Sequence, residues 1–362
     1  MPTAISLFSG AGGDSLGMKS AGVNVIAYNE INSKFCQTHQ SNFPDCELIQ
    51  ENNTTDITKI SDETFSKYTG KIDIIFAGFP CQGFSKAGKK RDDDPRNGMF
   101  IEFVRATRII QPTMIIGENV KGLLKKQLPS GEKYIDIIQQ EFVNMGYVVS
   151  SQICKCDEYN VPQKRERLII IGIKPNNPYN WTVKFPPPNK NKPNLINIVK
   201  YNMENSIKVP DELFQNIPAS CILTDMTDVT VYAHNNNAHP YLVRKTTPTF
   251  EQRTYVTKNK PTVYDNLFSF GKRDSPIHCE IVNVRNPCKT IICTYEHQPR
   301  LFVPLKNASG CFIRTLLPDE LKQIQGFPLE YIITGNTKEK IIQIGNAVPP
   351  PLIQSIVHHI MN

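Results

Sequence analysis

The chain has 362 residues, 40% hydrophobic and 21% charged, the balance of an ordinary globular protein large enough for one big domain or two. Its longest apolar runs, such as Leu168 to Ile171, fall far short of the ~18 residues a membrane helix needs, and the N-terminus enters a strand pattern without a basic leader, so an intracellular, soluble protein is expected. The net charge of +7 is concentrated in residues 181–313, where 16 Lys and Arg face 10 Asp and Glu, so a polyanionic partner would engage that part.

Along the first half, short apolar runs rich in β-branched residues alternate with helical patterns. Ile5 to Phe8 reads as a first strand and Val23 to Ala27 as a second. Ile72 to Ala77, Thr113 to Gly117 and Leu168 to Ile173 read as further strands. Helical spacing appears in Phe100 to Ile110, with Phe100, Phe103, Val104 and Thr107 on one face, and in Tyr134 to Met145, with Ile135, Ile138 and Phe142. This alternation predicts a doubly wound, mostly parallel α/β sheet, in which ligands bind outside the carboxyl ends of the strands.

The pattern breaks at Phe185-Pro186-Pro187-Pro188. Residues 181–313 then read as short strands and polar loops rich in Asn, Thr, Pro and Tyr, a smaller loop-rich, β-containing module. Regular structure resumes with a helix at Leu317 to Gln325, stopped by Gly326, and a last helix at Pro351 to Met361. The predicted division is a first domain of 1–180 plus 335–362 and a second of 181–334.

Chemistry-bearing residues collect at the predicted strand ends. Cys81, in Gly78-Phe79-Pro80-Cys81-Gln82-Gly83, follows an apolar strand and precedes a glycine-bearing charged loop. A thiol displayed there can act as a nucleophile, although a small packed side chain would read the same way. Phe8-Ser9-Gly10-Ala11-Gly12-Gly13 leads from the first strand into a helix, where backbone amides can approach a ligand. Its spacing is not the G-x-G-x-x-G of dinucleotide enzymes, which argues against a nicotinamide or flavin oxidoreductase.

Glu30, past the second strand, can accept hydrogen bonds from ribose hydroxyls, and Asp56, expected at the end of a third strand, can read an adenine amino group. Together they predict a nucleoside-like cofactor. Glu118-Asn119-Val120 closes the strand at Ile115-Ile116-Gly117 and would face the same crevice as Cys81. Arg165 and Arg167 alternate within Gln163-Lys164-Arg165-Glu166-Arg167, so they project to one side.

The ten cysteines are scattered without the spacing of a disulfide framework, and neither Cys154-Lys155-Cys156 nor Cys288 with Cys293, even with His278 or His297, fits a standard zinc pattern. Reduced thiols and no metal are expected.

Taken together these blocks resemble the DNA cytosine carbon-5 methyltransferases of the restriction-modification type. The resemblance rests on Phe8 to Gly13, Glu30, Asp56, Pro80-Cys81-Gln82, Glu118-Asn119-Val120, Gln163 with Arg165 and Arg167, Arg314 through Gln325-Gly326-Phe327-Pro328, and Gln343-Ile344-Gly345-Asn346-Ala347-Val348-Pro349. It covers nearly all of the chain outside 181–313. It implies that a cytosine is flipped out of duplex DNA, that Cys81 adds to ring carbon 6, and that carbon 5 takes a methyl group from S-adenosylmethionine.

By the same resemblance Glu118 would act at ring nitrogen 3, Arg167 at the cytosine carbonyl oxygen, and Arg165 in support of Arg167 or at a nearby phosphate. Phe8, Gly10, Gly12 and Gly13 would cradle the cofactor, with Glu30 on the ribose and Asp56 and Ile57 at the adenine, and with Pro80 and Asn346 completing the site. Residues 83–98 would form a basic loop closing over DNA, with Ser85 and Arg96 on phosphates and Gln163 in the DNA-binding set. Arg244 and Arg253 in the second module are candidates for base-edge or phosphate contacts. A monomer, working beside a separate cognate endonuclease, is the expected organisation. The same family has a branch acting on transfer RNA and marked by a Cys-Phe-Thr signature; the one Cys-Phe pair here is Cys311-Phe312, followed by Ile313.

Overall fold

The computed structural model describes residues 1–80, 98–128, 130–209, 211–215, 217–230, 280–296 and 300–362. Cys81, Ser85, Arg96, Arg244 and Arg253 lie outside the described residues.

The first half forms a seven-stranded sheet in the order β3-β2-β1-β4-β5-β7-β6. Its strands are β1 (Thr3–Leu7), β2 (Asn24–Asn29), β3 (Glu47–Leu48), β4 (Ile74–Ala77), β5 (Met114–Val120), β6 (Val148–Lys155) and β7 (Glu166–Ile173). Pairings among β1 to β5 are parallel, while β7 runs antiparallel to both β5 and β6. The expected mostly parallel α/β sheet is therefore present, with the crossover of strand order between β1 and β4. β5 is longer than the sequence pattern indicates, so Glu118, Asn119 and Val120 are strand residues. β6 escapes the apolar reading because Ser150-Ser151-Gln152 interrupt its apolar residues and because exposed and half-buried positions alternate along most of this sheet-edge strand. β3 is only two residues long, and Asp56 caps a separate 3₁₀ turn, Ile57–Lys59, beyond it.

Two apolar cores cover the faces of this sheet. Because side chains alternate across a strand, Ile115 and Ile170 join a core with Phe103, Phe142 and Ile138, whereas Ile116, Ile169 and Ile171 join the opposite one. The first of these packs α4 (Met99–Ile110) and α5 (Tyr134–Asn144), whose apolar residues recur at helical spacing. The second takes α1 (Gly13–Ser20) and the C-terminal α9 (Pro350–Met361), through Met18, Leu352, Ile353 and Ile356. α9 folds back onto α1. Four further helices fall where no expectation is stated: α2 (Ser33–Asn42), started by the side chain of Asn32, the short α3 (Asp62–Ser66) and α6 (Asp211–Phe214), and α8 (Thr337–Asn346), started by a reciprocal Asn336–Glu339 cap.

The second sheet is built on the hairpin of β11 (Leu301–Asn307) and β12 (Gly310–Thr315). β8 (Ile207–Lys208) pairs with β12, while β9 (Leu223–Asp225) and β10 (Glu280–Ile281) pair in parallel with successive parts of β11. Val303, Leu305 and Phe312 belong to the same apolar core as Ile169 and Leu352, so the two sheets share an interior.

Where the hairpin leads into α7 (Pro318–Ile324), Arg314 is 1% exposed. Its guanidinium makes a two-pronged ion pair with Glu320 at 2.7 Å on each prong, and its other N–H groups donate to the carbonyls of Asn202, Thr315 and Lys200 at 2.9 Å. All five donors are satisfied, which is the condition for holding a charge in an interior. Arg314→Leu would leave Glu320 buried without a counter-ion and should destabilise the fold by about 3 kcal/mol or more. Urea unfolding checks this, and a loss below about 1 kcal/mol would count against the pair as an organiser of this junction.

Candidate active site

The carboxyl ends of β1, β4 and β5 meet at Gly78. A Cβ placed on that glycine would stand 3.7 Å from the Phe8 carbonyl oxygen, 3.8 Å from Glu118 Oε2 and 3.6 Å from Val348 Cγ2. Four distant stretches of sequence thus share one small floor. Asn119, buried, donates from Nδ2 to the Phe79 carbonyl at 3.1 Å, and its Oδ1 accepts the Val120 N–H at 2.8 Å. That bond ties the end of β5 to the turn Phe79-Pro80, from which the chain enters Cys81.

Beside it, Arg167 Nε and Glu118 Oε1 are 2.7 Å apart, with both side chains largely shielded from solvent. The pairing follows from strand direction. In the antiparallel β5–β7 register Val120 faces Arg167, so the beginning of β7 lies at the sheet edge where the parallel strands finish. Arg167 Nη1 also donates to the Glu166 carbonyl at 2.8 Å. The result is an acid and a base side by side at one rim of the crevice.

The glycine loop turns through left-handed conformations at Phe8, Gly10 and Gly12. The Ser9 N–H donates to the Asn29 carbonyl at 3.1 Å and the Gly10 N–H to Glu30 Oε2 at 2.9 Å. Glu30 accepts a second backbone N–H, from Asn32, through Oε1 at 2.8 Å. Burial raises its carboxyl above the ordinary glutamate value, against the lowering effect of these bonds. Among the described residues nothing stands in front of Gly10, whereas Gly12 and Gly13 face protein: a Cβ on Gly13 would collide with the Val348 carbonyl. The Ser9 hydroxyl is buried without a partner among the described residues, an orphan that a polar ligand lying on the loop would satisfy.

Asp56 Oδ1 accepts from the Thr58 hydroxyl at 2.7 Å and the Thr58 N–H at 3.1 Å, and the hydroxyl bond leads in holding its carboxyl below the usual range. Ile57 is buried, and its carbonyl accepts Arg105 Nη2 at 2.9 Å. Pro80 is half-buried at the end of the β4 turn, and Asn346 is exposed at the last residue of α8.

Two of the expected site residues lie inside the protein. Arg165 is 2% exposed, and its Nη1 and Nη2 donate to the carbonyls of Ile291 (3.2 Å), Gly345 (3.1 Å) and Ala347 (3.3 Å). Burial first and Arg167 second pull it down to about 9, which leaves it charged at neutral pH. Its Nη groups engage buried carbonyls, and its Nε has no partner among the described residues, so in this structure it holds backbone. Gln163, expected among DNA contacts, is wholly buried. It donates to Gln325 Oε1 at 2.7 Å and accepts the Ile291 N–H at 2.8 Å, so it too is an internal tie.

Asp14 was missed because an acid in the first turn of a helix ordinarily reads as a favourable surface charge. Here it is 1% exposed in α1 and takes the Ser6 hydroxyl proton into a hydrogen bond. Burial raises its pKa from 3.8 to about 7, partly opposed by that bond. A carboxyl raised on folding is most favourable to the native state below its unfolded value, and that contribution is lost as pH climbs through the folded value. The protein should therefore lose stability between about pH 4 and about pH 7 through Asp14. Asp14→Asn should flatten that part of the profile, and parallel pH profiles for the two proteins in chemical denaturation would refute the assignment.

The family model of C-5 cytosine-specific DNA methylases matches residues 3–362. The chain is 30% identical over 365 residues to the type II methyltransferase M1.HphI of Haemophilus parahaemolyticus, covering 99% of this chain and 86% of that protein. It is 27% identical to M.NgoMIV of Neisseria gonorrhoeae, covering 99% and 97%. Among solved structures, a putative prophage-encoded DNA modification methyltransferase from E. coli matches with a TM-score of 0.60 at 21% identity, covering 99% of this chain and 98% of that one. A Spodoptera frugiperda DNMT2 variant matches with a TM-score of 0.62 at 17% identity, covering 98% of each. At such identities the two structures speak for the fold.

Proposed function

The chain belongs to the C-5 cytosine-specific DNA methylase family, and from that premise we propose that it methylates carbon 5 of a cytosine in a specific duplex sequence, as the modification enzyme of a type II system. The observation that carries this reading is the Glu118–Arg167 pair, 2.7 Å apart at the sheet edge beside the turn that leads into Cys81. Ring nitrogen 3 and the carbonyl oxygen of cytosine are adjacent on one edge of the base, so a carboxyl and a guanidinium held this close can address both at once.

The target base sits inside a stack, so it must be extruded to reach the crevice. Cys81 as thiolate adds to carbon 6, forming a carbon–sulfur bond and pushing electron density towards carbon 5. Glu118, in its acid form, donates a proton or hydrogen bond to nitrogen 3 and so stabilises the negative charge that this addition develops in the ring, while Arg167 holds the carbonyl oxygen. S-Adenosylmethionine, when bound, supplies the methyl group from its sulfonium. Loss of the carbon-5 proton to a base then expels the Cys81 thiolate and restores the ring.

For the methyl donor, Phe8 and Gly10 offer an open stretch of loop, Glu30 a carboxylate for the ribose, and Asp56 with Ile57 the adenine end. Pro80 and Asn346 lie at the borders. Gly12 and Gly13 shape the loop from behind. The unpartnered Ser9 hydroxyl and the open face of Gly10 fit such a ligand. Target choice is assigned to residues 181–334, with Arg244 and Arg253 as contacts to base edges or phosphates, and Ser85 and Arg96 as phosphate contacts. A monomer working beside a cognate endonuclease is the organisation in keeping with this reading. The transfer-RNA alternative draws no support from Cys311-Phe312, since both side chains are buried in β12.

Labelled methyl transfer from S-adenosylmethionine tests the whole reading. Incorporation into duplex DNA at a defined cytosine is expected, with Cys81→Ser abolishing turnover while retaining donor binding. Glu118→Gln should lower kcat by about 10²- to 10⁴-fold. Incorporation into transfer RNA alone, or full activity of the Cys81→Ser protein, would overturn it.

A further inference from the structure

The glycine loop is supported from behind by a residue that no block of the sequence singles out. Tyr331 lies in the segment after α7, is 5% exposed, and donates its phenolic hydrogen to the Ala11 carbonyl at 2.6 Å. Its ring packs on Phe327, with centroids 4.6 Å apart, and edge-on to Phe43 at 6.3 Å. The same hydroxyl accounts for the glycine at position 12. A Cβ there would stand 2.8 Å from Tyr331 Oη, 3.0 Å from His39 and 3.1 Å from Phe43, at a left-handed φ of 78°.

The segment that carries Tyr331 is itself fixed on two sides. Lys322 Nζ, from α7, donates to the Leu329 carbonyl at 2.6 Å and the Tyr331 carbonyl at 3.1 Å. Asn42, at the end of α2, exchanges two hydrogen bonds with the backbone of Ile332, and Thr38 accepts the Thr334 N–H at 3.0 Å. Tyr331 is therefore a rigid post. Burial, and the nearness of Asp14, raise its hydroxyl well above the usual tyrosine value, so it remains a donor throughout the working pH range. On the far side of the loop, Gly10 has no neighbour in front of it among the described residues and donates to Glu30.

We infer that Tyr331 is a positioning residue for donor binding: its hydrogen bond to the Ala11 carbonyl sets the glycine loop in the conformation that presents Gly10 and Glu30 to the adenosyl group. This rests on the assignment of that loop to S-adenosylmethionine. It also links the segment following the second sheet to the cofactor side of the crevice.

Tyr331→Phe keeps the ring and deletes only the donor. Titration calorimetry with S-adenosylhomocysteine should give a dissociation constant raised about three- to tenfold, the equivalent of one hydrogen bond, with kcat at saturating donor within about twofold of wild type. Thr69→Val, which removes the Thr69–Ile109 bond at 2.9 Å far from the loop, serves as the stability control and should lower the melting temperature with unchanged affinity. Asn42→Ala, which loosens the post while keeping the phenol, should weaken binding in the same sense, and it carries the test if the Phe variant folds poorly. Wild-type affinity in both the Tyr331→Phe and the Asn42→Ala proteins would overturn the inference. Absence of any binding by the wild-type protein would instead overturn the donor assignment beneath it.

Discussion

The buried guanidinium of Arg165 is the constraint on which the rest of the crevice depends. It is reached from the start of β7, yet it holds the carbonyls of Ile291, Gly345 and Ala347, which belong to the approach to the second sheet and to the end of α8. Gln163 and Gln325 extend the same network, since Gln325 Nε2 donates at 2.5 Å to the Ala347 carbonyl that Arg165 also engages. Charge makes this network strong and burial makes it unforgiving, because each carbonyl left without its donor would keep its desolvation cost. A lysine could not replace the arginine: a single ammonium lacks the fork that spans separated carbonyls.

From that anchor the site's electrostatics follow. Arg165 and Arg167 are two residues apart, but the first is spent on backbone and the second on Glu118. One arginine builds the wall, and the other equips it. Antiparallel β7 is what allows this division, because the strand enters the sheet from the edge where the others leave it. With a parallel β7, Arg167 would stand at the far edge, away from Glu118.

Much of this was legible in the sequence, and what was not has identifiable causes. Strands β1, β2, β4 and β7 and helices α4, α5, α7 and α9 announce themselves by apolar periodicity and by turn residues. The direction of β7 does not, since an apolar run has no sense of polarity. β6 is masked by its half-exposed alternation, and α2 by its polar sequence. Asn119 and Val348 stand inside recognisable blocks, but their contacts, to the Phe79 carbonyl and to the space over Gly78, exist only once distant strands meet. The roles expected for Arg165 and Gln163 come from the family resemblance, which does not say that either side chain is buried. Their burial depends on partners more than 120 residues away, whose positions no local pattern encodes. Tyr331 gave no signal at all, one tyrosine among thirteen.

The approach of Val348 to Gly13 carries a consequence for how the protein comes into being. The loop that opens the chain's first crossover is packed by backbone that arrives more than 330 residues later, followed by α9 against α1. During synthesis the strands of the first sheet can pair early, but the back wall of the glycine loop is absent until α8 and α9 have emerged from the ribosome. The glycine loop, though near the start of the sequence, is thereby among the last parts of the crevice to be completed, because its packing waits for α8 and α9.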